Sequence, residues 1–368
     1  MANKAKKSRI KSNIKSKIAR IVKINTRINT KIKTKVIKTK ILRIKSANSH
    51  GIRAAAQILK KGGLVAFPTE TVYGLGANAF NSAAVRKIFK AKGRPTDNPM
   101  IVHVASESDL QNVAKSISLE ARKLIKKFWP GPLTLIFEKS PAIPGDVTAN
   151  LNTVAVRMPS NKIALALIRA SGPIAAPSAN VSGSPSPTNA KDVTQDLKGR
   201  VEMIIDGGSA KFGVESTVLD LKSRTILRPG AVTYEEIKRV IPGVKVFQGT
   251  ADKPSSPGMK YRHYSPKAEL ILFEGKSISQ MPEWKKKNPD AAVLCTLETA
   301  LVNRWIHDVF LLGKQSKPNQ IAKKLFSNLR RIDRLGYDLI LCEGISEKGI
   351  GMAVMNRLRK AASKVMTK

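Results

Sequence analysis

From Gly51 onward, short apolar runs alternate with stretches of helical period, and this interleaving constrains the fold more than any other feature of the chain. "GIRAAAQILKKGG" reads as a helix stopped by Gly62 and Gly63, and the strand "LVAFPT" follows it. The pattern continues with helix "SAAVRKIFKAKG", strand "MIVHVA", helix "LEARKLIKKFW", strands "LTLIFE" and "TVAVRMP", helix "KIALALIRASG" and strand "PIAAPSAN". Strands "EMIIDGG", "STVLDL" and "TILRP" lead to helix "YEEIKRVI", where Thr233 and Glu236 have capping-box spacing. Interleaved elements of this kind predict an α/β or α+β domain and exclude an all-helical one.

Residues 245–267 lack periodicity and carry Pro254, Ser255, Ser256, Pro257 and Gly258, so they read as a linker. From Ala268, strands "AELILFE", "AAVLCT", "DVFLLG" and "DLILCEGI" alternate with helices "NQIAKKLFSNLRRIDRLG" and "GMAVMNRLRKAASK", the pattern of a small parallel-sheet α/β domain. The expected organisation is a basic tail over 1–46, a first domain over 47–244, the linker over 245–267 and a second domain over 268–368. With 368 residues, of which 42% are hydrophobic, the chain has material for both cores. No run approaches the roughly 20 apolar residues of a membrane span, and the start lacks a secretory h-region, so a cytoplasmic location is expected. Cys295 and Cys342 sit alone in strand-like runs and imply neither a disulfide framework nor a zinc site.

Charge is unevenly distributed. Residues 1–46 hold 17 of the 66 Lys and Arg and none of the 26 acids, and the remainder is still basic by 23 charges. The low-complexity Lys/Ile/Asn/Thr composition of the tail predicts disorder. It fits an RNA-binding arm, a targeting peptide or an upstream stretch translated ahead of the true start.

Three polar segments follow apolar strands, where α/β folds place ligands. "FPTETVYGLGANA" presents Thr69, Glu70, Thr71 and Tyr73; "KAKGRPTDNPMIVHV" presents Lys92, Arg94, Asn98 and His103; "APSANVSGSPSPT" presents Ser178, Asn180, Ser184 and Ser186. Hydroxyls and backbone N–H groups in such loops can cradle phosphate oxygens, and Arg157 and Arg228, bordering strands, need anions if buried. Taken singly, each segment is equally compatible with a capped turn, a dipole-complementing cation or a flexible Ser/Pro loop. There is no P-loop, no complete dinucleotide fingerprint and no metal-ligand spacing, so no tightly held protein metal is expected.

Taken in order, these segments with "FWPGPLTL", "TVAVRMPS", "GVESTV", "LRPGA" and "SPGMKYRHYSP" resemble the threonylcarbamoyl-AMP synthase family over roughly residues 48–365. The resemblance implies a YrdC-like twisted-sheet domain with a basic cavity, joined to a smaller Rossmann-like α/β domain. It implies an enzyme that makes threonylcarbamoyl-AMP and pyrophosphate from L-threonine, bicarbonate and ATP. The product serves a downstream tRNA threonylcarbamoyl transferase. By motif position, Thr71, His103, Ala176 and Ser216 correspond to the threonine pocket. Arg94, Asn98, Thr153, Ser178, Ser186, Arg228 and Tyr261 correspond to the ATP site, and Lys92, Arg94 and Arg157 to the catalytic group. Magnesium is expected to arrive with the nucleotide, and the basic surface to attract tRNA or RNA weakly. Pro257-Gly258 and Tyr261 suggest that the linker is a lid that keeps water from a labile carbamate. A carbamoyl-transfer enzyme of the hydrogenase-maturation type, which adds zinc-finger cysteines, is disfavoured by the two cysteines present.

Overall fold

Eleven strands form the larger of two sheets in the computed structural model, which describes residues 37–247, 249 and 263–367. They are β1 (Lys40–Arg43), β2 (Val65–Phe67), β3 (Gly74–Asn78), β4 (Ile101–His103), β5 (Leu133–Glu138), β6 (Thr153–Arg157), β7 (Ile174–Ala176), β8 (Met203–Asp206), β9 (Thr217–Asp220), β10 (Thr225–Arg228) and β11 (Lys245–Val246). Their order is β1-β8-β2-β3-β7-β4-β6-β5-β9-β10-β11, with parallel and antiparallel pairs mixed. Central strands are apolar on both faces because helices cover both. Successive side chains of β2 and β8 alternate between two cores: Val65, Phe67, Met203 and Ile205 meet the helices His50–Lys60 and Lys162–Ser171. Ala66 and Ile204 instead join Val85, Ile88 and Phe89 of the helix Ser82–Lys92.

The second sheet is all parallel and contains β12 (Glu269–Phe273), β13 (Ala292–Thr296), β14 (Val309–Gly313), β15 (Leu339–Glu343) and β16 (Lys364–Met366), in the order β14-β13-β15-β12-β16. Leu270 and Leu272 pack on Leu325, Phe326 and Leu329 of the helix Pro318–Leu335 and on Val354 and Leu358 of the helix Gly351–Ala361. Ile271 and Phe273 face the opposite way, toward Met281, Val293 and Cys295. Cys295 and Cys342 are free and buried. Residues 38–368 form one compact unit, and Val72 and Val214 of the first domain enter the core of the second.

Three expectations need correction. The basic segment does not stay structureless up to residue 46: Lys40–Arg43 pairs in parallel with β8, Thr39 Oγ1 donates to Val201 O at 2.6 Å, and Ile44 is buried. Charge density concealed a period of two that turns Leu42 and Ile44 inward while Ile41 and Arg43 face solvent on a sheet edge. Gly74–Asn78, read as part of a polar turn, is a strand, and its glycines make room for a neighbouring ring. A Cβ on Gly76 would lie 2.7 Å from Ile174 Cγ2 and 2.9 Å from Phe67 Cε1. The linker range begins with β11, and its other end, His263–Lys267, is packed into the fold, whereas Tyr261 and most of the proposed lid lie outside the described residues. Short helices at Glu107–Val113, Ala190–Leu197, Met281–Lys287 and Leu297–Val302 also escaped the periodicity argument. Among the described residues, no helix is long and apolar enough to cross a membrane.

Candidate active site

One cavity in the first domain collects residues from segments far apart in the chain. Thr71, Arg94, His103, Arg157, Ala176, Ser178, Ser186, Ser216 and Arg228, all anticipated from sequence, line it together. The loop after β2 supplies Thr71, the ends of β4 and β6 supply His103 and Arg157, the loop after β7 supplies Ser178 and Ser186, and β10 ends in Arg228.

Its arginines are oriented by the backbone and by carboxylates. Arg157 Nη2 forms a 2.5 Å ion pair with Glu70 Oε1, both groups being buried; Nη1 donates to Thr71 Oγ1 at 2.8 Å and Nε to Gly131 O at 3.2 Å. Thr69 Oγ1, 2.8 Å from Thr71 Oγ1, extends this network. Arg228 donates to Ser216 O through Nε at 3.2 Å and Nη2 at 3.1 Å, and Nη2 also reaches Ser216 Oγ at 3.2 Å. Arg94 Nη2 donates to Asn98 O at 3.2 Å and Pro99 O at 2.9 Å. Gly93, left-handed at φ 61°, ends the preceding helix and sends the chain toward Arg94.

Lys92 is not on the cavity surface. Its fully buried ammonium donates to Ser178 O and Asn180 O, each at 2.5 Å, while its backbone O accepts from Ser182 N, so it clamps the Ser178–Ser182 loop from below. Burial, with repulsion from Arg94, pushes its pKa well below the ordinary lysine range. Asn98 contributes its carbonyl to Arg94 and keeps its side chain buried outside the lining, and Thr153 opens β6 at the end remote from Arg157.

His103 is uncharged. Its Nδ1 lies 3.2 Å from Ile101 O. Burial, followed by the Arg157 charge, lowers its pKa to about 3, and Phe67 meets the ring edge-on.

Sequence reasoning undervalued several residues here. Glu215, part of the "GVESTV" segment, lines the cavity; its Oε1 accepts from Ser186 Oγ at 2.5 Å and its Oε2 from Arg357 Nε at 3.0 Å. Burial would raise this carboxyl, but the guanidiniums of Arg357 and Arg228 and the Ser186 hydrogen bond outweigh it and hold the pKa below the usual range. His263 and Tyr264 line the cavity from the same "KYRHY" run in which Tyr261 was singled out. The Tyr264 ring stacks on Phe326 with centroids 5.4 Å apart. Arg357 carried no distinguishing signal, being one of several cations on an amphipathic helix. Among the described residues, no cluster of three His, Cys, Asp or Glu side chains has metal-binding geometry.

A family model described as "Telomere recombination" matches residues 57–230, and one described as "Threonylcarbamoyl-AMP synthase, C-terminal domain" matches residues 232–363. The threonylcarbamoyl-AMP synthase of Pyrococcus abyssi is 50% identical over 325 residues, covering 84% of this chain and 94% of the relative. That of Bacillus subtilis is 48% identical, covering 86% and 94% respectively. The crystal structure of P. abyssi Sua5 complexed with L-threonine superposes with a TM-score of 0.82 at 47% identity, covering 90% of this chain and 99% of that one. With two family models spanning most of the chain and this identity across nearly the full length of both relatives, the chain belongs to the threonylcarbamoyl-AMP synthase family.

Proposed function

We propose that the chain is an L-threonylcarbamoyladenylate synthase, a nucleotidyltransferase that converts L-threonine, bicarbonate and ATP to threonylcarbamoyl-AMP and pyrophosphate. The observation that carries the reading is the cavity itself, where Arg94, Arg157 and Arg228 converge with the hydroxyls of Thr71, Ser178, Ser186 and Ser216. Three anionic reactants must meet in one place, and without fixed cations they would repel one another.

In this reading Arg157, Thr71 and Ser216 hold the threonine carboxylate, and neutral His103 adds no further positive charge beside the threonine amine. The neutral amine captures bicarbonate with loss of water, or CO2 with loss of a proton, to give a carbamate. The carbamate oxygen then attacks the α-phosphorus, and the α–β bridging oxygen leaves with pyrophosphate. Arg94, Arg228, Ser178 and Ser186 hold the phosphates, and Lys92 acts by fixing the loop that carries Ser178. Alignment of the reactants can supply on the order of 7–11 kcal/mol of the barrier without covalent participation by the protein. Magnesium enters as part of the ATP complex. The nearest carboxylates, Glu70 and Glu215, are already paired with Arg157 and Arg357, so the donor set suits anions. The enzyme acts in the cytoplasm and passes its adenylate to a tRNA threonylcarbamoyl transferase, and the basic surface gives weak, salt-sensitive tRNA attraction.

The test is mass spectrometry after incubating the purified chain with ATP, labelled bicarbonate and L-threonine. Labelled threonylcarbamoyl-AMP with stoichiometric pyrophosphate is expected. A folded protein that forms neither would overturn the proposal.

A further inference from the structure

The Ser186 and Arg228 side of the cavity is held from outside the first domain. Ser186 is preceded by Pro185, whose carbonyl accepts from Arg330 Nε at 2.9 Å and Nη2 at 2.6 Å; Arg330 also forms a two-pronged ion pair with Asp196, at 3.1 and 2.7 Å. Asp196 in turn accepts from Val181 N at 3.2 Å, so Arg330 grips both ends of the Val181–Pro185 turn.

Arg357, on the helix Gly351–Ala361, reaches the same neighbourhood by a separate route and is fully buried. Its Nε pairs with Glu215, the residue before Ser216 and the acceptor of the Ser186 hydroxyl. Its Nη1 donates to the carbonyl of Pro229, the residue after Arg228, and its guanidinium lies 5.7 Å from the centroid of the Tyr264 ring. One side chain of the second domain thus touches the chain neighbours of two cavity residues and the hydrogen-bond partner of a third.

Charge makes this contact specific. Glu215 is a carboxylate in the wall of a cavity that receives anions, and Arg357 is its ion-pair partner. Arg228 also lies close enough to interact electrostatically with Glu215. With Arg357 neutralised, the carboxylate would draw Arg228 toward itself and leave Ser186 without a fixed acceptor. Resting on the function proposed above, we infer that Arg357 is a positioning residue for the ATP end of the cavity: it neutralises Glu215, which holds Ser186 in place, and so keeps Arg228 available to phosphate. The second domain thereby completes the geometry of the first domain's site.

The test measures KM for ATP and for threonine, with melting curves, in full-length wild type, Arg357→Lys, Arg357→Met and the double variant Arg357→Met/Glu215→Gln. Arg357→Met should raise KM for ATP by about tenfold or more while KM for threonine stays within about threefold, the scale expected when one partner of a buried charged contact is removed. Adding Glu215→Gln removes the stray carboxylate and should return KM for ATP to within about threefold of wild type, whereas Arg357→Lys, which keeps the charge but not the fork, should fall between wild type and Arg357→Met. The inference is overturned by an unchanged KM for ATP in folded Arg357→Met, or by a defect that Glu215→Gln leaves untouched. Should Arg357→Met fail to fold, a tenfold defect in the double variant would overturn it equally. A wild-type chain that forms no threonylcarbamoyl-AMP overturns the functional reading and this inference together; an active wild type with an indifferent Arg357→Met overturns the inference alone.

Discussion

Arg228 is buried without a salt-bridge contact to a carboxylate among the described residues, held instead by the carbonyl and hydroxyl of Ser216. Such a group is oriented yet keeps its charge for an incoming anion. Arg228→Ala should therefore weaken ATP use by roughly 30- to 1000-fold, the equivalent of about 2–4 kcal/mol, with the fold retained; wild-type KM and turnover would remove Arg228 from the site. His103 permits a prediction of opposite character. Its folded pKa of about 3 lies below the ordinary 6.5, so the unfolded chain takes up a proton that the folded chain refuses as the pH falls. The sign is fixed: stability is fully present above about pH 6.5 and declines toward pH 3, by about 1.4 kcal/mol per pH unit for one proton. His263, also lowered to about 3, adds a second such proton. In urea titrations between pH 7 and 5, His103→Gln should lose about one proton's share of the slope, and an unaltered slope would show that the ring titrates normally. At this scale the sequence revealed residue types but not partnerships. "PTET" and "AVR" gave no sign that Glu70 would pair with Arg157, nor "VEST" that Glu215 would face a cation 142 positions away.

The elements most legible in the sequence were those whose burial imposes a simple period. The helices Ser82–Lys92 and Pro318–Leu335 and the strands Leu133–Glu138 and Leu339–Glu343 fall where periodicity put them, and Thr233 and Glu236 form the expected capping box. Short helices and edge strands were missed because about two turns or a few residue pairs carry too little pattern to outweigh composition. β1 is the case with an experimental consequence. Removing residues 1–36 takes away no candidate site residue and should leave adenylate synthesis and melting unchanged. Removing residues 1–46 additionally strips the pairing to Met203–Asp206, both Thr39 hydrogen bonds and the buried Ile44. That truncation should cost about 2–4 kcal/mol by unfolding titration, chiefly from lost apolar burial. Equal stability of the two truncated proteins would show that β1 contributes nothing to the sheet.

At the scale of the whole molecule, alternating elements revealed two α/β layers but not the interface between them, which is built from contacts with no local signature. Arg330, Arg334 and Arg357 reach Asp196, Asp192 and Glu215, and at one point the two backbones meet directly. Gly213 has φ 78°, and a Cβ there would lie 2.5 Å from Lys323 Cα and 2.6 Å from Ala322 O on the helix Pro318–Leu335. Neither atom is a flexible side-chain end, so the clash can be relieved only by shifting the helix or the loop. The loop is poorly free to move, because Phe212 N and Gly213 N donate to the carbonyls of Glu70 and Thr71, beside the Arg157 pair. Gly213→Ala therefore combines left-handed backbone strain with overpacking at the domain interface, and should destabilise the protein by about 2–4 kcal/mol. Because the same strain reaches Thr71, KM for threonine should rise even at temperatures where the variant remains folded. Urea unfolding and steady-state kinetics at 20–25 °C separate the two effects. A variant as stable as wild type would mean that the domains tolerate separation at Gly213. A destabilised variant with unchanged KM would mean that the interface and the threonine loop move independently.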